Sequence, residues 1–546
     1  MKIKELLILV LLVVPAMLAL IRPGFFGASD DMHIAWLQQM DQAVTEGQIP
    51  PRYVSDLSFG FGYPLFNFIF PLPYYLGEIF HLLGLNFVYS IKAVFIFSLL
   101  ISAITMYFLA RHLSGKFVGM AAAVLYIYTP YRSTDIYDRG ALGESLAFVF
   151  LPLIIFSLIR LAEVKSKKEN FKWVGIGGLS ITALILTHNI VSYMFIPFAL
   201  LFALLVMKKE KIKEFFFLFF LGLIGSIYFW LPALLESNLM KYSTVFNFFD
   251  HFPTLKQLIT PFWGYGASVP GPYDGMSFFV GEINLIVLIV ATIFIIFRFS
   301  KISLKIKKIS IWSLFLVVVS VFMMNFRSYW FWEHIPLIAY FQFPWRFLTM
   351  IVFASSLLVI LIKNFKYSNI LAVIIIMVSM VINTPRFRPH DFLNRDDSYY
   401  INRYIPVPTP SEEYLTLQEE YLRLPKTTEI RPTQIYDRVY PVSEAIENIT
   451  LVNSLETKFI TDSESELVLN YNKYYFPGWK GFIDGEKLNL IASKPYGQIQ
   501  FLVPNGKHEI TIKYEETILN KILDLITLST IIFCFYLVFA RSKVTK

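Results

Sequence analysis

Cysteine is almost missing from this chain. Its one cysteine, Cys534, lies in the last hydrophobic stretch, so no intrachain disulfide can form and no CxxC-type metal site exists. Charge is scarce too: Asp, Glu, Lys and Arg make up 16% of 546 residues, against 56% hydrophobic and 17% aromatic. A soluble fold of this length has no use for so much apolar surface. The net charge of +8 does not point to nucleic acid, because the lysines gather in short loops between hydrophobic runs. The centres of those runs are nearly free of charge, and no internal repeat is evident. Both facts weigh against a transporter, which needs polar groups at the bilayer midplane and broken helices in paired halves.

What the chain has is a series of apolar stretches, at roughly 6–21, 88–110, 117–131, 145–162, 173–188, 190–207, 215–235, 279–297, 309–325, 347–362, 368–384 and 518–540. The first has a basic start but no clear cleavage site before Arg22-Pro23, and reads as an uncleaved helix. Tyr63 to Leu83 is also apolar, yet it holds Pro64, Asn67, Pro71, Pro73, Gly77 and Glu78, a poor composition for a straight lipid-facing helix. Charge parity resolves it. With a cytoplasmic N-terminus and 63–83 not crossing, the basic loops near Lys116, Lys167, Lys211, Lys305 and Lys366 and the tail with Arg541, Lys543 and Lys546 all fall on the cytoplasmic side. The expectation is a polytopic α-helical protein of the cell membrane, with about twelve transmembrane helices, both termini cytoplasmic and 63–83 re-entrant or interfacial.

This topology divides the chain into a transmembrane region, 1–384, with outer loops 22–87, 132–144, 236–278 and 326–346, an extracytoplasmic domain, 385–516, and a final helix and tail, 517–546. The domain begins as an irregular connection, with one helix expected near Ser411–Leu422, and becomes β-rich from about 445. Alternation in Glu466–Tyr471 and Glu509–Tyr514 marks strands, and Asp484-Gly485 and Asn505-Gly506 are hairpin signals. A β-sandwich-like module follows, expected to act as a lid or partner-binding element.

The chemically diverse residues collect on the outer face. Ser29-Asp30-Asp31-Met32-His33 places adjacent acids just after the first helix, where Ser29 or Asp30 could instead cap a helix through Ile34, Leu37 and Met40. The loop Tyr131 to Glu144 contains Arg139, His188 and Asn189 form a tight junction, and Arg346 ends the run Gln342-Phe343-Pro344-Trp345-Arg346. Each has a plain alternative. Arg139 and Glu144 could simply pair, His188 could cap carbonyls, and Arg346 could be an interfacial anchor. Tyr74, Tyr75, Trp263 and Trp330 read as aromatic-belt residues before ligand-stacking platforms.

The run Tyr475-Phe476-Pro477-Gly478-Trp479-Lys480-Gly481-Phe482-Ile483-Asp484-Gly485, followed by Val503-Pro504-Asn505-Gly506-Lys507-His508, resembles the carboxy-terminal signature of YfhO-like bacterial membrane proteins. Gly62-Tyr63-Pro64, Pro71-Leu72-Pro73-Tyr74-Tyr75, Asp138-Arg139-Gly140, Thr187-His188-Asn189 and Phe343-Pro344-Trp345-Arg346-Phe347 resemble the multispanning "6-pyruvoyl-tetrahydropterin synthase-related" group. The soluble pterin synthase itself is similar in no feature, and no zinc-binding His cluster is present. The resemblance implies the GT-C architecture of integral-membrane glycosyltransferases, which take a sugar from a polyprenyl-phosphate carrier on the outer face. Their acidic first-loop motif maps onto Asp30 and Asp31. Several such families carry Asp-x-Asp or Glu-x-Asp where this chain has Asp-Asp-x-His, which leaves open which acid is catalytic.

On that resemblance Asp31 or Asp30 is the expected general base, and Arg139 and Arg346 bind phosphate. His33, Glu144, His188 and Asn189 complete the substrate site. The partners implied are a lipid-linked sugar donor and a glycan, lipid or protein acceptor, with no nucleic acid. The paired acids could hold Mg²⁺ or Mn²⁺, although such ions usually need more oxygens than two side chains offer. The alternatives are a flippase or transporter for a lipid-linked saccharide and a non-catalytic scaffold of an envelope-polymer assembly.

Overall fold

The computed structural model describes residues 3–241, 248–405, 423–441 and 445–539. Among them nine helices are long and apolar enough to cross a membrane, and the pair Lys209–Ile224 and Ile227–Leu239, bent by 62°, makes a tenth if it is one span. Three of the twelve expected stretches are therefore not single long helices. The stretch 117–131 is a helix of only 12 residues, Lys116–Ile127. It stops because Pro130 forces Thr129 into extended backbone, with φ −110° and ψ 147°. The stretch 215–235 breaks at Gly225-Ser226, where a Cβ on Gly225 would lie 2.3 Å from Thr182 Oγ1. The break leaves its polar groups satisfied: Ser226 Oγ donates to Gly222 O at 3.1 Å and Trp230 Nε1 to Leu223 O at 2.9 Å. The stretch 279–297 is Glu282–Arg298, 17 residues long.

Residues 63–83 form two short helices, Leu65–Phe68 and Leu72–Leu82, parted at Phe70-Pro71. Neither approaches the ~20 residues a crossing needs. The second packs beside the helix His33–Thr45, where a Cβ on Gly77 would sit 3.1 Å from Leu37.

The β-rich region consists of two antiparallel sheets. One orders Val439–Tyr440, Leu467–Tyr474, Gln498–Val503 and Ile491–Ser493. The other orders Ile446–Asn453, Glu456–Ser463, Gly506–Tyr514, Trp479–Ile483 and Glu486–Leu488. Leu469, Tyr471, Ile499 and Phe501 of the first share a buried core with Phe459, Ile510 and Ile512 of the second. Asp484-Gly485 is the expected hairpin, with φ 50° and 85°. Asn505-Gly506 is not one. Gln498–Val503 pairs with Leu467–Tyr474, whereas Gly506–Tyr514 pairs with Glu456–Ser463 and Trp479–Ile483, so this tight turn carries the chain between sheets. A turn dipeptide sets chain reversal only; the inward apolar faces of the flanking strands set the pairing.

The β-rich region docks on the loop before Pro64. Tyr53 and Met240 enter its core, and Tyr53 Oη donates toward Phe61 O, Gly62 O and Tyr474 O at 2.9 to 3.0 Å. Buried Arg52 binds Glu516 at 2.7 Å and also Asp524, which fastens the last helix, Ile518–Phe539, to the same loop. The helix expected near Ser411–Leu422 and the basic tail with Arg541, Lys543 and Lys546 lie outside the described residues.

Candidate active site

The Asp-Arg-Gly run and the acidic loop are laid side by side. Phe25–Phe26 pairs with Phe392–Arg395, Ser29 N–H donates to Asp138 O at 3.0 Å, and Asp30 N–H donates to Arg139 O at 2.8 Å. Gly140 makes this approach possible. It has φ +68°, and a Cβ there would stand 3.0 Å from Ala28 Cβ and 3.2 Å from Asp30 O. The next helix begins at His33 with Met32 at the N-cap and no side-chain cap bond, so neither Ser29 nor Asp30 caps it.

A cavity of about 640 Å³ opens beside these segments, and seven of the eight expected site residues line it: Asp30, His33, Arg139, Glu144, His188, Asn189 and Arg346. Asp31 is not among them. Its carboxylate accepts the Tyr404 hydroxyl and faces Arg403 Nε at 3.9 Å. The two adjacent acids thus part: Asp30 lines the cavity and Asp31, in the turn before the helix at His33, is held by Tyr404. They do not converge on one ion, and among the described residues no group of three His, Cys, Asp or Glu side chains is arranged to hold a metal.

Arg139 and Glu144 do pair, at 2.8 Å, and Arg139 also binds Asp135 at 2.8 Å. The pair belongs to the cavity wall. Glu144 is fully engaged, accepting Tyr131 Oη at 2.6 Å and Thr349 Oγ1 at 2.8 Å on its other oxygen. It fixes the guanidinium above it, which lies 4.5 Å over the Trp345 ring. Arg346 is 8% exposed, which removes the interfacial-anchor reading. It donates through Nη1 to Phe341 O at 3.2 Å and to Gln342 Oε1, while its Nε makes no hydrogen bond and stands 3.9 Å from Glu144.

His188 caps amides, not carbonyls. Its Nδ1 accepts Val191 N–H at 3.1 Å at the start of Asn189–Val206, which assigns the ring proton to Nε2, a donor on the cavity wall. Phe70 stacks on it with centroids 5.1 Å apart, and the close passage of Gly143 permits this, since a Cβ there would lie 2.5 Å from the Phe70 ring. Asn189 is exposed at the cavity mouth and turns its Oδ1 to Ile190 N–H. His33 shares a 2.6 Å hydrogen bond with Tyr74, which is buried and not in an aromatic belt; its Nε2 has no partner. Burial, reinforced by the Arg423 cation, pushes His33 down to about 3, so the ring is neutral. Burial pushes the Asp30 carboxyl up from the ordinary carboxylate range, against the opposing pull of Arg139, Arg346 and Arg423. A carboxyl so placed takes up a proton readily, and the guanidiniums across from it favour an anion.

Sequence reasoning missed Arg423 and Trp36. Arg423 lines the cavity from the far side of the chain, 4.9 Å over Trp36, and nothing in its irregular surroundings signals that position. The remaining walls are apolar, including Phe229, Leu234, Leu337 and Tyr340. The last three are more than half exposed, so this side of the cavity continues into an apolar surface.

Residues 66–389 match the family described as "6-pyruvoyl-tetrahydropterin synthase related domain; membrane protein", more than half of the chain. An uncharacterized protein of Lactococcus lactis subsp. cremoris is 25% identical over 199 residues, 35% of this chain and 32% of the relative; the match spans about a third of that relative's length. Among solved structures, the arabinofuranosyltransferase AftD from Mycobacteria is similar at TM-score 0.44 and 12% identity, over 72% of this chain and 28% of AftD. The oligosaccharyltransferase of Archaeoglobus fulgidus is similar at TM-score 0.40 and 13% identity, over 81% of this chain and 61% of the enzyme. Neither likeness bears on what the chain does.

Proposed function

The chain belongs to the 6-pyruvoyl-tetrahydropterin synthase related family of membrane proteins, and from that premise we propose that it is a membrane glycosyltransferase. It moves a sugar from a polyprenyl-phosphate-linked donor to an acceptor hydroxyl of a glycan, lipid or protein on the extracytoplasmic face. One observation carries this reading: a half-buried carboxyl, Asp30, and the guanidiniums of Arg139, Arg346 and Arg423 line one cavity that is apolar on its remaining side. Such a cavity suits an amphiphile with an anionic head, and its carboxyl suits an acceptor that must lose a proton.

The step is a displacement at the anomeric carbon. The acceptor oxygen gives its proton to the Asp30 carboxylate and bonds to that carbon, while the bond from carbon to phosphate oxygen breaks and releases the carrier phosphate. A positioned general base contributes roughly 10²–10⁴-fold. Arg139 and Arg346 hold the phosphate as its negative charge grows, and His188 Nε2–H adds a neutral donor. Glu144 acts as a positioning residue, because both of its oxygens are committed to Arg139, Tyr131 and Thr349. Asp31 ties the acidic loop to Tyr404. The β-rich region is the extracytoplasmic domain that closes over this face.

The test is transfer in membranes containing the full chain and a radiolabelled polyprenyl-phosphate sugar. Label in a new glycosylated product supports the enzyme. Label that crosses the membrane without forming product would identify a flippase instead.

A further inference from the structure

Gln342, on the cavity wall, has φ +67° and ψ −56°. Phe343 N–H donates back to Phe341 O at 2.8 Å, which closes a γ-turn of the rarer, strained hand. Glycine takes such a backbone without a Cβ penalty, whereas a glutamine is held there only by its surroundings. One side of the turn follows from the sequence. Pro344 keeps Phe343 extended, at φ −127° and ψ 123°, and opens the apolar helix Pro344–Asn364. The chain thus reverses at one residue and enters that helix two residues later.

The strained turn supplies a pair of acceptors for one guanidinium nitrogen. Arg346 Nη1 donates to Phe341 O at 3.2 Å and to Gln342 Oε1 at 2.5 Å. Phe341 O therefore serves both the turn and the arginine. The same guanidinium lies 5.1 Å from the Phe343 centroid and 5.8 Å from the Trp345 centroid, beside two rings stacked 5.1 Å apart at 9°. On its Nε side stands Glu144, at 3.9 Å. An arginine has much rotamer freedom to lose, and ordering it before a ligand arrives removes that cost from binding. Glycine would make this turn with less strain but would leave Nη1 with Phe341 O alone. The strain is therefore tied to holding Arg346 and not to chain reversal by itself.

We propose that Gln342 is a positioning residue, whose Oε1 fixes the Arg346 guanidinium in the orientation that receives the phosphate of the carrier lipid. This rests on the carrier-lipid reading above. Gln342 acts through Arg346 and not on the ligand. The two phosphate-binding guanidiniums then have different anchors: Arg139 is set by Asp135 and Glu144, and Arg346 by the turn.

The test measures binding of farnesyl phosphate and farnesol to the detergent-solubilised full chain by calorimetry, in wild type, Gln342→Gly, Arg346→Met and the double variant. The wild type should bind farnesyl phosphate more tightly than farnesol. Gln342→Gly should weaken farnesyl phosphate about fivefold, the scale of one net hydrogen bond, and leave farnesol unchanged. In the Arg346→Met background the same change should cost nothing further, because no guanidinium is left to position. Equal binding of farnesyl phosphate by Gln342→Gly and wild type overturns the assignment and leaves the carrier reading standing. Equal losses in both backgrounds also overturn it, since Gln342 would then act on the ligand or the fold directly. No preference for the phosphate in the wild type overturns both. Should Arg346→Met fail to fold, phenylglyoxal labelling of Arg346, read by mass spectrometry, replaces the cycle. Protection by farnesyl phosphate in the wild type that is lost in Gln342→Gly supports the assignment. Equal protection in both, or none in either, overturns it.

Discussion

The backbone N–H of Asp30 donates to the carbonyl of Arg139 at 2.8 Å. The residue proposed to take a proton and the residue proposed to hold the leaving phosphate are thereby parts of one short backbone ladder. Their separation does not depend on long side chains finding each other, and catalysis by position requires that kind of rigidity.

Gly140 keeps the ladder close, at φ +68° with Asp30 O 3.2 Å from where a Cβ would be. Gly140→Ala should cost about 1–2 kcal/mol of stability from the left-handed backbone. It should cost transfer more, roughly tenfold to a hundredfold, because Asp30 is displaced. Thermal unfolding and transfer rate measured on the same preparation check the two effects; normal transfer by the variant would contradict the role of the ladder.

Glu144 is the counter-charge beneath the cations, 2.8 Å from Arg139 and 3.9 Å from Arg346. Glu144→Gln leaves Arg139 with Asp135 alone, and breaking a buried pair costs about 3–5 kcal/mol. A lowered unfolding midpoint in detergent, together with weakened donor binding, is the expected result. An unchanged midpoint would show that the pair is not under the strain of burial.

Desolvation holds the Asp30 carboxyl above the ordinary carboxylate range, with Arg139, Arg346 and Arg423 lowering it and Glu144 raising it. A base must be ionised to act. The rate should therefore fall as pH drops through this raised value, placing the acid limb of kcat/KM above about pH 4, where an exposed carboxylate would put it. Arg423→Gln removes one cation that favours the ionised form and should move the limb to higher pH. A limb that stays put, or moves down, contradicts the assignment of that limb to Asp30.

Arg52 joins the loop at 52–63 to Glu516, at 2.7 Å, and to Asp524 in the last helix. Arg52→Ala leaves two carboxylates without their cation, a loss of about 3–5 kcal/mol. Limited proteolysis of the variant should cut between the β-rich region and the last helix sooner than in the wild type. The same cleavage rate in both would mean that the core formed around Tyr53 holds the region alone.

The helices were legible because a bilayer demands long apolar runs, and nine of the twelve expected stretches coincide with helices long enough to cross among the described residues. What was not legible is where packing shortens or breaks them, since Gly225 yields to Thr182 for reasons of contact with another helix. Arg139, His188 and Arg346 were found because polar groups at helix ends are rare in so apolar a chain. Which of the two acids lines the cavity was hidden, because Tyr404, a residue far along the chain, takes Asp31 for itself. Arg423 was hidden for the same reason: its place is set by bridges to Met240 and Pro495, which no local pattern encodes.

That division between neighbouring acids gives the most direct test. Asp30→Asn and Asp31→Asn are compared for sugar transfer in membranes at matched expression. Asp30→Asn should lose transfer by roughly 10²–10⁴-fold, the contribution of a general base, while Asp31→Asn keeps most of it. Full activity in Asp30→Asn, or its loss only in Asp31→Asn, would contradict the account.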